Sequence, residues 1–497
     1  MPRRNLLWLL GIGLGCLFCW AIAQGSIAPP RGPLQYVKGF PGYQQDYERL
    51  SLLVDVMQHV EQSYVHALSE EDRRKFMDNA IQGGLQSLDM HSGYINPKEF
   101  KAFSRQSEGA FGGVGIQLST NRDTKRLVVI SPIVGTPAYK AGIKPGDEID
   151  KIDGESTSGM TIEDAIDRIQ GQPGTQVKLT VRPRGSNRTR DVNLTRTLIE
   201  VESVLGDQRD ANKSWDFMLD KKNRIGYVRL VQFNKKSYDE LRAAVEKLQA
   251  EGARGFILDL RNNPGGLLDA AVNISDLFLP GGAVVSVEGR TRSKQVYEAH
   301  EAGTMLRNRP MAVLVNENSA SASEIVAAAL QDHKRAVVIG ERTFGKGSVQ
   351  NLIPMESGKS ALKLTTAKYM RPSGKNIHRF PDSKEEEDWG VRPDIQVKLT
   401  LPEEIEYWTA RRDRDIVRED KSPAELVEPL ANVIGTIGTA WTLEPTLAPL
   451  VSAAELGAVT EPLPRAPRPF SDKVLDRALE YIREQLNGPA AASARPG

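Results

Sequence analysis

Residues 205–400 alternate between short apolar runs and helical patterns, and this alternation restricts the fold more than any other feature. The runs "ARGFILDLR" and "MAVLVNE" have the length and composition of buried strands, whereas "SYDELRAAVEKLQAEG" has helical periodicity. Apolar strands that are separated by helical segments pair in parallel in α/β proteins. The segment therefore predicts a mixed α/β core with a parallel sheet.

Residues 105–200 have a different texture, with short strands, frequent Gly and Pro, and the single helix "TIEDAIDRIQ". Near its start, the sequence "FGGVGIQL" predicts a glycine-rich loop followed directly by a strand. Glycines allow successive backbone N–H groups of such a loop to converge on a carboxylate. Together with "AGIKPGDEIDKIDG", this stretch resembles a PDZ domain. The resemblance implies that Gly113, Val114, Gly115 and Ile116 bind the C-terminus of a peptide, which pairs with the strand edge. The plainer alternative is a tight turn in a small β domain.

The first 23 residues are interpreted as a targeting segment. Arg3 and Arg4 precede an unbroken apolar run that ends in the small-residue sequence Ala21–Ala23, which is typical of signal cleavage. The run is also close to the shortest length that spans a membrane, so an uncleaved anchor remains open. We expect an exported protein, periplasmic or extracellular. Both cysteines, Cys16 and Cys19, lie inside this segment, which leaves the rest of the chain without thiol chemistry.

The remaining regions frame these two domains. Residues 24–44 are rich in Pro and Gly and predict a linker, and residues 45–100 predict an N-terminal region with two amphipathic helices. Residues 401–497 predict a C-terminal helical and Pro/Ala-rich region, in which a Pro-rich segment at 461–469 separates the last helix from the core. The formal net charge of +1 and the absence of a basic block disfavour nucleic acid as a partner.

Three alternating serines in "NENSASASEIV" raise the question of whether one of them is a nucleophile. Local sequence favours a structural role, because Ser321 and Glu324 have the spacing of a capping box before an apolar helix. A helix start also gathers unpaired N–H groups that stabilise negative charge. His333 lies twelve residues further along the same helix and is too distant to act as the base.

A lysine offers a different base. Lys346 lies between two glycines in a turn that opens a strand, and Gln350 follows four positions later, so in a regular strand both share one face. A lysine in an apolar cleft loses hydration and can accept a proton as a neutral amine, which Gln350 could orient. Taken alone, Lys346 is more typical of a solvated lysine in an exposed loop, because lysine is usually exposed.

The ordered motifs "SLDMHSGYI", "FILDLRNNPGG", "NSASASEI", "GKGSVQ" and "GVRPDI" together resemble the carboxy-terminal processing (tail-specific) proteases, peptidase family S41. These are serine peptidases with a Ser–Lys dyad, one PDZ domain and a crotonase-like α/β core. The resemblance covers residues 45–400 and implies Ser321 as the nucleophile, Lys346 as the general base and Gln350 as its orienting partner. Gly266 and Ala322 match the oxyanion-hole positions, although Gly265 competes with Gly266. His91 matches a family position and is interpreted as structural.

The resemblance implies an endopeptidase that recognises free protein C-termini, forms an acyl-enzyme, and needs neither a metal nor another cofactor. Its partners would be proteins with unstructured, apolar C-termini, with an adaptor protein or a homo-oligomer as further options, and with a membrane only if the first segment is uncleaved. An acidic insertion at 380–389 departs from the family pattern.

Three rival interpretations remain. The chain could be a non-catalytic PDZ scaffold, a PDZ protease with a Ser-His-Asp triad, or an acyl-CoA enzyme that shares the core fold. The poorly placed histidines disfavour the triad, and a PDZ unit in an exported chain disfavours a CoA substrate.

Overall fold

The structure is a computed structural model that describes residues 43–121, 124–291, 293–416 and 471–488. The predicted signal or anchor segment, nearly all of the predicted linker and the Pro-rich segment at 461–469 lie outside the described residues. Within the described ranges, no helix combines the length and the apolar character that a membrane span requires.

The described residues form two compact units, which divide between Ala80 and Ile81. The first unit contains helix α1, Tyr43–Ser63, and most of helix α2, Glu70–Gln86. Three acidic residues begin α2, where carboxylates interact favourably with the helix dipole. These two helices are the pair that periodicity predicts in the region of residues 45–100.

The second unit begins with a short strand and a well-capped helix. Strand β1 is Gly93–Ile95, and helix α3 is Pro97–Glu108. Asn96 caps α3 in a reciprocal capping box with Glu99, whose backbone N–H donates to the Asn96 side chain at 3.0 Å. The helix ends at Gly109 in a left-handed conformation, which terminates α3 before the β-rich domain.

The β-rich domain follows, and its elements are β2 Ala110–Gly113, β3 Ile116–Thr120, β4 Leu127–Pro132, α4 Pro137–Lys140, β5 Glu148–Ile152, β6 Glu155–Ser156, α5 Ile162–Ile169, β7 Gln176–Arg182, β8 Arg190–Thr195 and β9 Thr197–Glu200. The antiparallel sheet has the order β3-β4-β5-β7-β8, with β6 on β5 and a separate β2–β9 pair. Alternate residues of β7, including Val177, Leu179 and Val181, face a common core with Ala165 of α5. The domain therefore has its own hydrophobic core, as expected for an independent module.

The α/β core is built on a second sheet, and its elements are β10 Val204–Leu205, β11 Gln208–Arg209, β12 Trp215–Asp216, β13 Met218–Asp220, β14 Ile225–Leu230, α6 Ser237–Ala250, β15 Gly255–Asp259, α7 Leu268–Asp276, β16 Gly282–Gly289, β17 Gln295–Ala299, β18 Met311–Val315, α8 Ala322–Asp332, β19 Val337–Gly340, β20 Ser348–Met355, β21 Ser360–Met370, β22 Ile395–Gln396 and α9 Leu401–Asp415. Strands β14, β15, β18, β19 and β22 are neighbours in that order and pair in parallel. This confirms the parallel sheet that the sequence predicts.

Successive residues of the parallel strands face opposite sides of the sheet. On one side, Val313 and Val315 pack with helices α6, α7 and α8. On the other side, Ala312 and Leu314 pack with a further helix, α10, Lys473–Asn487. Both faces are buried, which explains why these strands have no polar alternation.

Helix α10 completes the core, although the sequence places it in a region separated from the core by the Pro-rich segment. Val474, Leu475, Ala478 and Ile482 are buried against the sheet. Its N-cap residue, Asp472, also accepts hydrogen bonds from both terminal nitrogens of Arg261, at 2.9 and 2.8 Å. The C-terminal helix is thus part of the α/β core, because its apolar face covers one side of the parallel sheet.

Four strands of this core, together with β1, form a separate antiparallel sheet that the sequence does not predict. Its order is β1-β21-β16-β17, and the long strand β20 pairs with β21. The short strand β1 pairs with Ala361–Lys363, which are far from it in sequence. Through this pairing, the segment containing "SLDMHSGYI" reaches the strands that follow Lys346.

Candidate active site

Ser321 lies at the turn between strand β18 and helix α8. Its backbone has φ 55° and ψ −113°, a combination outside the left-handed helical region that non-glycine residues with positive φ usually occupy. Nucleophilic serines on sharp strand-to-helix turns have similarly strained backbones. Such strain persists only where surrounding contacts hold it, and it is concentrated at functional sites.

The three alternating serines have different environments. Ser319 and Ser323 are completely buried, and their hydroxyls donate to the carbonyls of Leu260 and Asn263 at 2.8 and 2.9 Å. Ser321, between them, is only partly buried. The two buried serines, Ser319 and Ser323, therefore make structural contacts. They attach the start of α8 to the loop that follows β15.

That loop, residues 263–267, is called the glycine loop here. A Cβ atom on Gly265 would lie 2.8 Å from both the Cβ of Ser321 and the backbone nitrogen of Ala322. Gly265 also has a φ of 99°, so only glycine allows the loop to approach the serine this closely. The glycine loop and the first residue of α8 consequently lie on either side of one small space.

The two adjacent glycines differ in how their amides are used. The N–H of Gly265 donates to the Asn263 side chain at 2.9 Å. Asn263 is completely buried, and its own carbonyl accepts from the N–H of Ala320 at 3.0 Å. Because the Gly265 amide already has an intramolecular acceptor, this geometry favours Gly266 over Gly265 as the oxyanion donor.

Glu324 connects the Ser321 segment to the Lys346 segment. One carboxylate oxygen, Oε2, accepts from the backbone N–H groups of Ser321 and Lys346, each at 2.8 Å. The two nitrogens are therefore at most 5.6 Å apart, twice that distance. The other oxygen, Oε1, accepts from the hydroxyl of Thr343 at 2.5 Å and from the N–H of Gly345 at 2.7 Å.

The Glu324 carboxylate is completely buried. Burial raises its pKa to about 7, although its four hydrogen-bond donors favour the ionised form. The sequence identifies Glu324 as a helix cap but misses its contacts with residues 343–346. The helix-cap spacing was visible, whereas the second set of donors depends on tertiary structure.

Lys346 occupies a turn between two closely packed glycines, as predicted. A Cβ atom on Gly345 would lie 2.7 Å from the Cβ of Arg379, and one on Gly347 would lie 2.9 Å from the Cβ of His378. Lys346 itself is partly buried. Strand β20 begins only at Ser348, and its pairing shifts between Val349 and Gln350. The alternation that would put Lys346 and Gln350 on one strand face therefore does not apply.

Gln350 lies in β20, and its side-chain amide is held by two hydroxyls. The amide nitrogen donates to Ser348 Oγ at 2.8 Å and to Thr365 Oγ1 at 3.2 Å. Lys346 and Gln350 are thus close in sequence, but different contacts fix each of them.

The histidines have other contacts. His333 ends helix α8, where its Nε2 lies 2.7 Å from the carbonyl oxygen of Ala283. His91 and His378 are near each other, with ring centroids 6.3 Å apart. Burial, followed by the nearby Lys368, lowers the pKa of His378.

The acidic insertion packs beside the lysine turn. The guanidinium of Arg342 lies 3.4 Å from the Trp389 ring centroid, and its Nη1 donates to the carbonyl of Glu385 at 2.5 Å. A Cβ atom on Gly345 would also lie 3.1 Å from Cε3 of the Trp389 ring. The insertion is therefore attached to the residues that precede Lys346.

The predicted peptide-binding loop lies in the β-rich domain. Residues 114 and 115 separate β2 from β3, and Gly115 has a φ of 76°. The carbonyls of Val114 and Gly115 accept from the N–H groups of Ala138 and Ile133, at 3.0 and 2.9 Å. Strand β3 begins at Ile116 and is at the end of its sheet among the described strands. The loop therefore leads into a strand that could accept a further strand.

Comparisons with known proteins agree with this organisation. Residues 224–397 match peptidase family S41, and residues 128–183 match the PDZ domain family. A carboxy-terminal-processing protease from Bartonella bacilliformis is 40% identical over 369 residues, which cover 72% of this chain and 77% of that protein. A carboxyl-terminal-processing protease from Synechocystis is 32% identical over 415 residues, covering 79% and 92%. The solved photosystem II D1 C-terminal processing protease aligns with a TM-score of 0.39 and 30% identity, covering 69% of this chain and 86% of that structure.

Proposed function

The chain belongs to peptidase family S41, within the carboxy-terminal processing proteases, and contains a PDZ domain; from this premise we propose an exported endopeptidase with a Ser321–Lys346 dyad. Its substrates are proteins with free, unstructured C-termini. Ser321 is the nucleophile, Lys346 is the general base and Gln350 orients the lysine. Gly266 and Ala322 supply the oxyanion-hole amides.

The observation that carries this proposal is the shared carboxylate oxygen. Glu324 Oε2 binds the backbone N–H groups of both Ser321 and Lys346, although these residues are 25 positions apart. Since both backbones are bound to one buried atom, their separation is fixed before substrate arrives. Preorganisation of this kind removes much of the entropy cost of bringing reacting groups together.

In the proposed acylation step, the neutral amine of Lys346 takes the proton of the Ser321 hydroxyl as its oxygen attacks the substrate carbonyl carbon. The carbonyl π electrons move to oxygen, and the amides of Gly266 and Ala322 stabilise that charge. The C–N bond then breaks, the Lys346 ammonium gives its proton to the leaving amine, and an acyl-enzyme remains. Water, deprotonated by Lys346, hydrolyses the ester and restores the Ser321 hydroxyl.

The PDZ domain supplies recognition in this proposal. The loop Gly113–Ile116 binds the terminal carboxylate through backbone N–H groups. The preceding residues of the substrate pair with the edge of β3, which leaves side-chain pockets to determine sequence preference. An adaptor protein or a homo-oligomer could present the substrate, and anchoring to a membrane follows only if residues 1–23 are retained.

The test uses a disordered polypeptide with an apolar tail, prepared with either a free or an amidated C-terminus. We expect Ser321→Ala and Lys346→Ala each to lower cleavage by about a thousandfold or more. The matched controls are Ser214→Ala and Lys359→Ala, which change the same residue types at exposed positions. Both control variants should cleave the tail at the wild-type rate. Normal cleavage by Lys346→Ala would refute the dyad, and equal cleavage of the two tails would refute carboxylate recognition.

The same experiment addresses the PDZ scaffold alternative. A scaffold would bind the free tail equally well in the wild type and in Ser321→Ala, and neither protein would cut it. Binding is measured by the fluorescence anisotropy of a labelled tail, and cleavage is measured by mass spectrometry of the products. Wild-type protein that binds the tail but yields no products would favour the scaffold.

A further inference from the structure

A chain of hydrogen bonds connects the turn that precedes strand β1 to the side chain of Gln350. The turn consists of residues 89–92 and is called the Asp89 turn here. Thr365 of strand β21 binds this turn twice: its N–H donates to Ser92 Oγ at 3.0 Å, and its hydroxyl donates to Asp89 Oδ1 at 3.1 Å. The Asp89 turn lies outside residues 224–397, which match the peptidase family.

The Asp89 carboxylate is the fixed end of the chain. Its Oδ1 accepts from the N–H groups of His91 and Ser92, each at 2.8 Å, and its Oδ2 accepts from the Ser92 hydroxyl at 2.7 Å. Partial burial opposes ionisation, but these hydrogen bonds outweigh it and lower the pKa of Asp89. At neutral pH the group is therefore a carboxylate, which only accepts hydrogen bonds.

This fixed end determines the direction of the remaining bonds. A threonine hydroxyl has one proton, and the Thr365 proton is directed to Asp89. Thr365 Oγ1 must then act as the acceptor in its contact with Gln350, whose amide nitrogen lies 3.2 Å away. The second N–H of that amide goes to Ser348 Oγ at 2.8 Å. With both amide hydrogens engaged, the group that the Gln350 side chain can still offer is its carbonyl oxygen, an acceptor.

We propose that Asp89 and Thr365 are positioning residues that fix the orientation of the Gln350 amide, so that its carbonyl oxygen is offered to Lys346. This inference rests on the proposed function, in which Lys346 becomes an ammonium during acylation. A carbonyl oxygen stabilises that ammonium, whereas an amide N–H group would destabilise it. Without the chain, the amide can rotate and present either group.

Thr365→Val removes the hydroxyl but keeps the branched shape of the side chain. We expect kcat to fall about tenfold, because the Gln350 amide can then rotate and its carbonyl oxygen no longer reliably stabilises the Lys346 ammonium that forms in the transition state. The KM should stay unchanged, since Thr365 is not part of the peptide-binding loop. The acid limb of the pH profile of kcat/KM should move about half a pH unit or more to lower pH, because the ammonium form is less stabilised.

Two variants separate this role from simple packing. Thr365→Ser keeps a hydroxyl at the same position and should restore both kcat and the acid limb to near wild type. Thr409→Val makes the same chemical change in helix α9, where the hydroxyl donates to the carbonyl of Ile405 at 2.8 Å, and should have no effect. His91, His378 and Lys368 lie near this chain, and Glu324 binds the Lys346 backbone. Thr365→Val, Thr365→Ser and Thr409→Val change no charge beside these groups, so the comparison among the three variants reports on the Thr365 hydroxyl.

The outcomes are distinguishable. Wild-type kcat and pH profile in Thr365→Val would overturn the inference, as would equal impairment of Thr365→Ser and Thr365→Val with an unmoved acid limb. If Thr365→Val does not fold, as judged by its thermal melting curve, Asp89→Asn replaces it. An asparagine keeps an acceptor for the N–H groups of the turn but can donate to Thr365, so a wild-type profile in Asp89→Asn would also overturn the inference.

The proposed function itself is checked independently of this chain. If Lys346→Ala cleaves normally, the dyad fails whatever the result at Thr365. If Lys346→Ala is inactive and Thr365→Val behaves as wild type, only the positioning role fails.

Discussion

Replacing Glu324 with glutamine tests whether a buried carboxylate holds the active site together. The change preserves size and shape, but it removes the charge and turns one acceptor oxygen into a donor. The wild-type oxygens accept four hydrogen bonds, two at each oxygen. With glutamine, at least one backbone N–H group of this cluster faces another donor, so we expect the segments around Ser321 and Lys346 to separate slightly.

The effect on stability follows from the pKa of Glu324, which burial raises from 4.5 in the unfolded chain to about 7 in the fold. Between these values the folded state binds a proton that the unfolded state does not. The free energy of unfolding of the wild type therefore falls as pH rises through this interval. An interval of about 2.5 pH units corresponds to about 3 kcal/mol, and Glu324→Gln does not experience this loss.

The effect on catalysis has the opposite sign. A displacement of about 1 Å between reacting groups lowers a rate about a hundredfold, so we expect kcat of Glu324→Gln to fall about 10- to 100-fold at pH 8. The difference in stability between the variant and the wild type should thus change in favour of the variant as pH rises, while the variant loses activity. An active site that is less stable than its surroundings is a common compromise between stability and function.

The assay is urea unfolding of both proteins at pH 5, 6, 7 and 8, together with kcat at pH 8. Glu246→Gln, in an exposed ion pair with Arg242, is the matched control and should follow the wild-type pH dependence. A difference between wild type and Glu324→Gln that stays constant from pH 5 to pH 8 would refute the burial argument. Unchanged kcat in Glu324→Gln would refute the positioning argument.

Three further substitutions test other parts of the structure. Gly265→Ala places a methyl group 2.8 Å from the Cβ of Ser321 at a φ of 99°, and we expect kcat to fall about a hundredfold; wild-type kinetics would contradict the close approach of the glycine loop. Asp472→Ala leaves buried Arg261 with one carboxylate fewer, and the free energy of unfolding in urea should fall by about 3 kcal/mol. An unchanged unfolding midpoint would show that this ion pair does not stabilise the fold. Gly115→Val forces a branched residue to a φ of 76°, so anisotropy should detect much weaker binding of a free tail, with amidated-tail binding unchanged.

The parallel sheet was predictable because both of its faces are buried. Strand β18 is apolar at every position, and β14 departs from a continuous apolar pattern mainly at the buried Arg229, so both resemble buried parallel strands. Helix α10 was also predictable as a helix, but its place was not. Nothing in its local sequence indicates that it packs on the side of the sheet opposite α8, because that contact depends on residues far away in the chain.

The antiparallel sheet escaped sequence analysis for the same reason. Strand β1 has only three residues, and its partner in β21 lies more than 260 residues later. Short edge strands carry too little periodicity to identify, and their pairing is decided by tertiary contacts. The Asp89 turn was therefore recognised as a motif without any prediction that it binds Thr365.

The candidate site was predictable in its residue types and less so in its geometry. Local sequence at Ser321 favours a helix cap, and only the combination of distant motifs turned attention to Lys346. Sequence alternation then suggested a shared strand face for Lys346 and Gln350, but β20 begins after the lysine and has a shifted pairing. What sequence could not supply was the second set of donors to Glu324, since these come from residues 343–346.

The cap and the site are not competing interpretations of Glu324. A helix cap needs one acceptor, and a carboxylate offers more than one lone pair at each oxygen. Residues 343–346 donate to the remaining lone pairs of Glu324. The third residue of α8, which caps the start of the helix, therefore also sets the backbone distance between the proposed nucleophile and its base. The ionised form of the buried carboxylate is stabilised by four donors, which belong to Ser321, Thr343, Gly345 and Lys346. Loss of any one of these hydrogen bonds raises the free energy of the ionised form. The site should therefore assemble cooperatively, and substitutions at Glu324 and Thr343 should be non-additive in kcat.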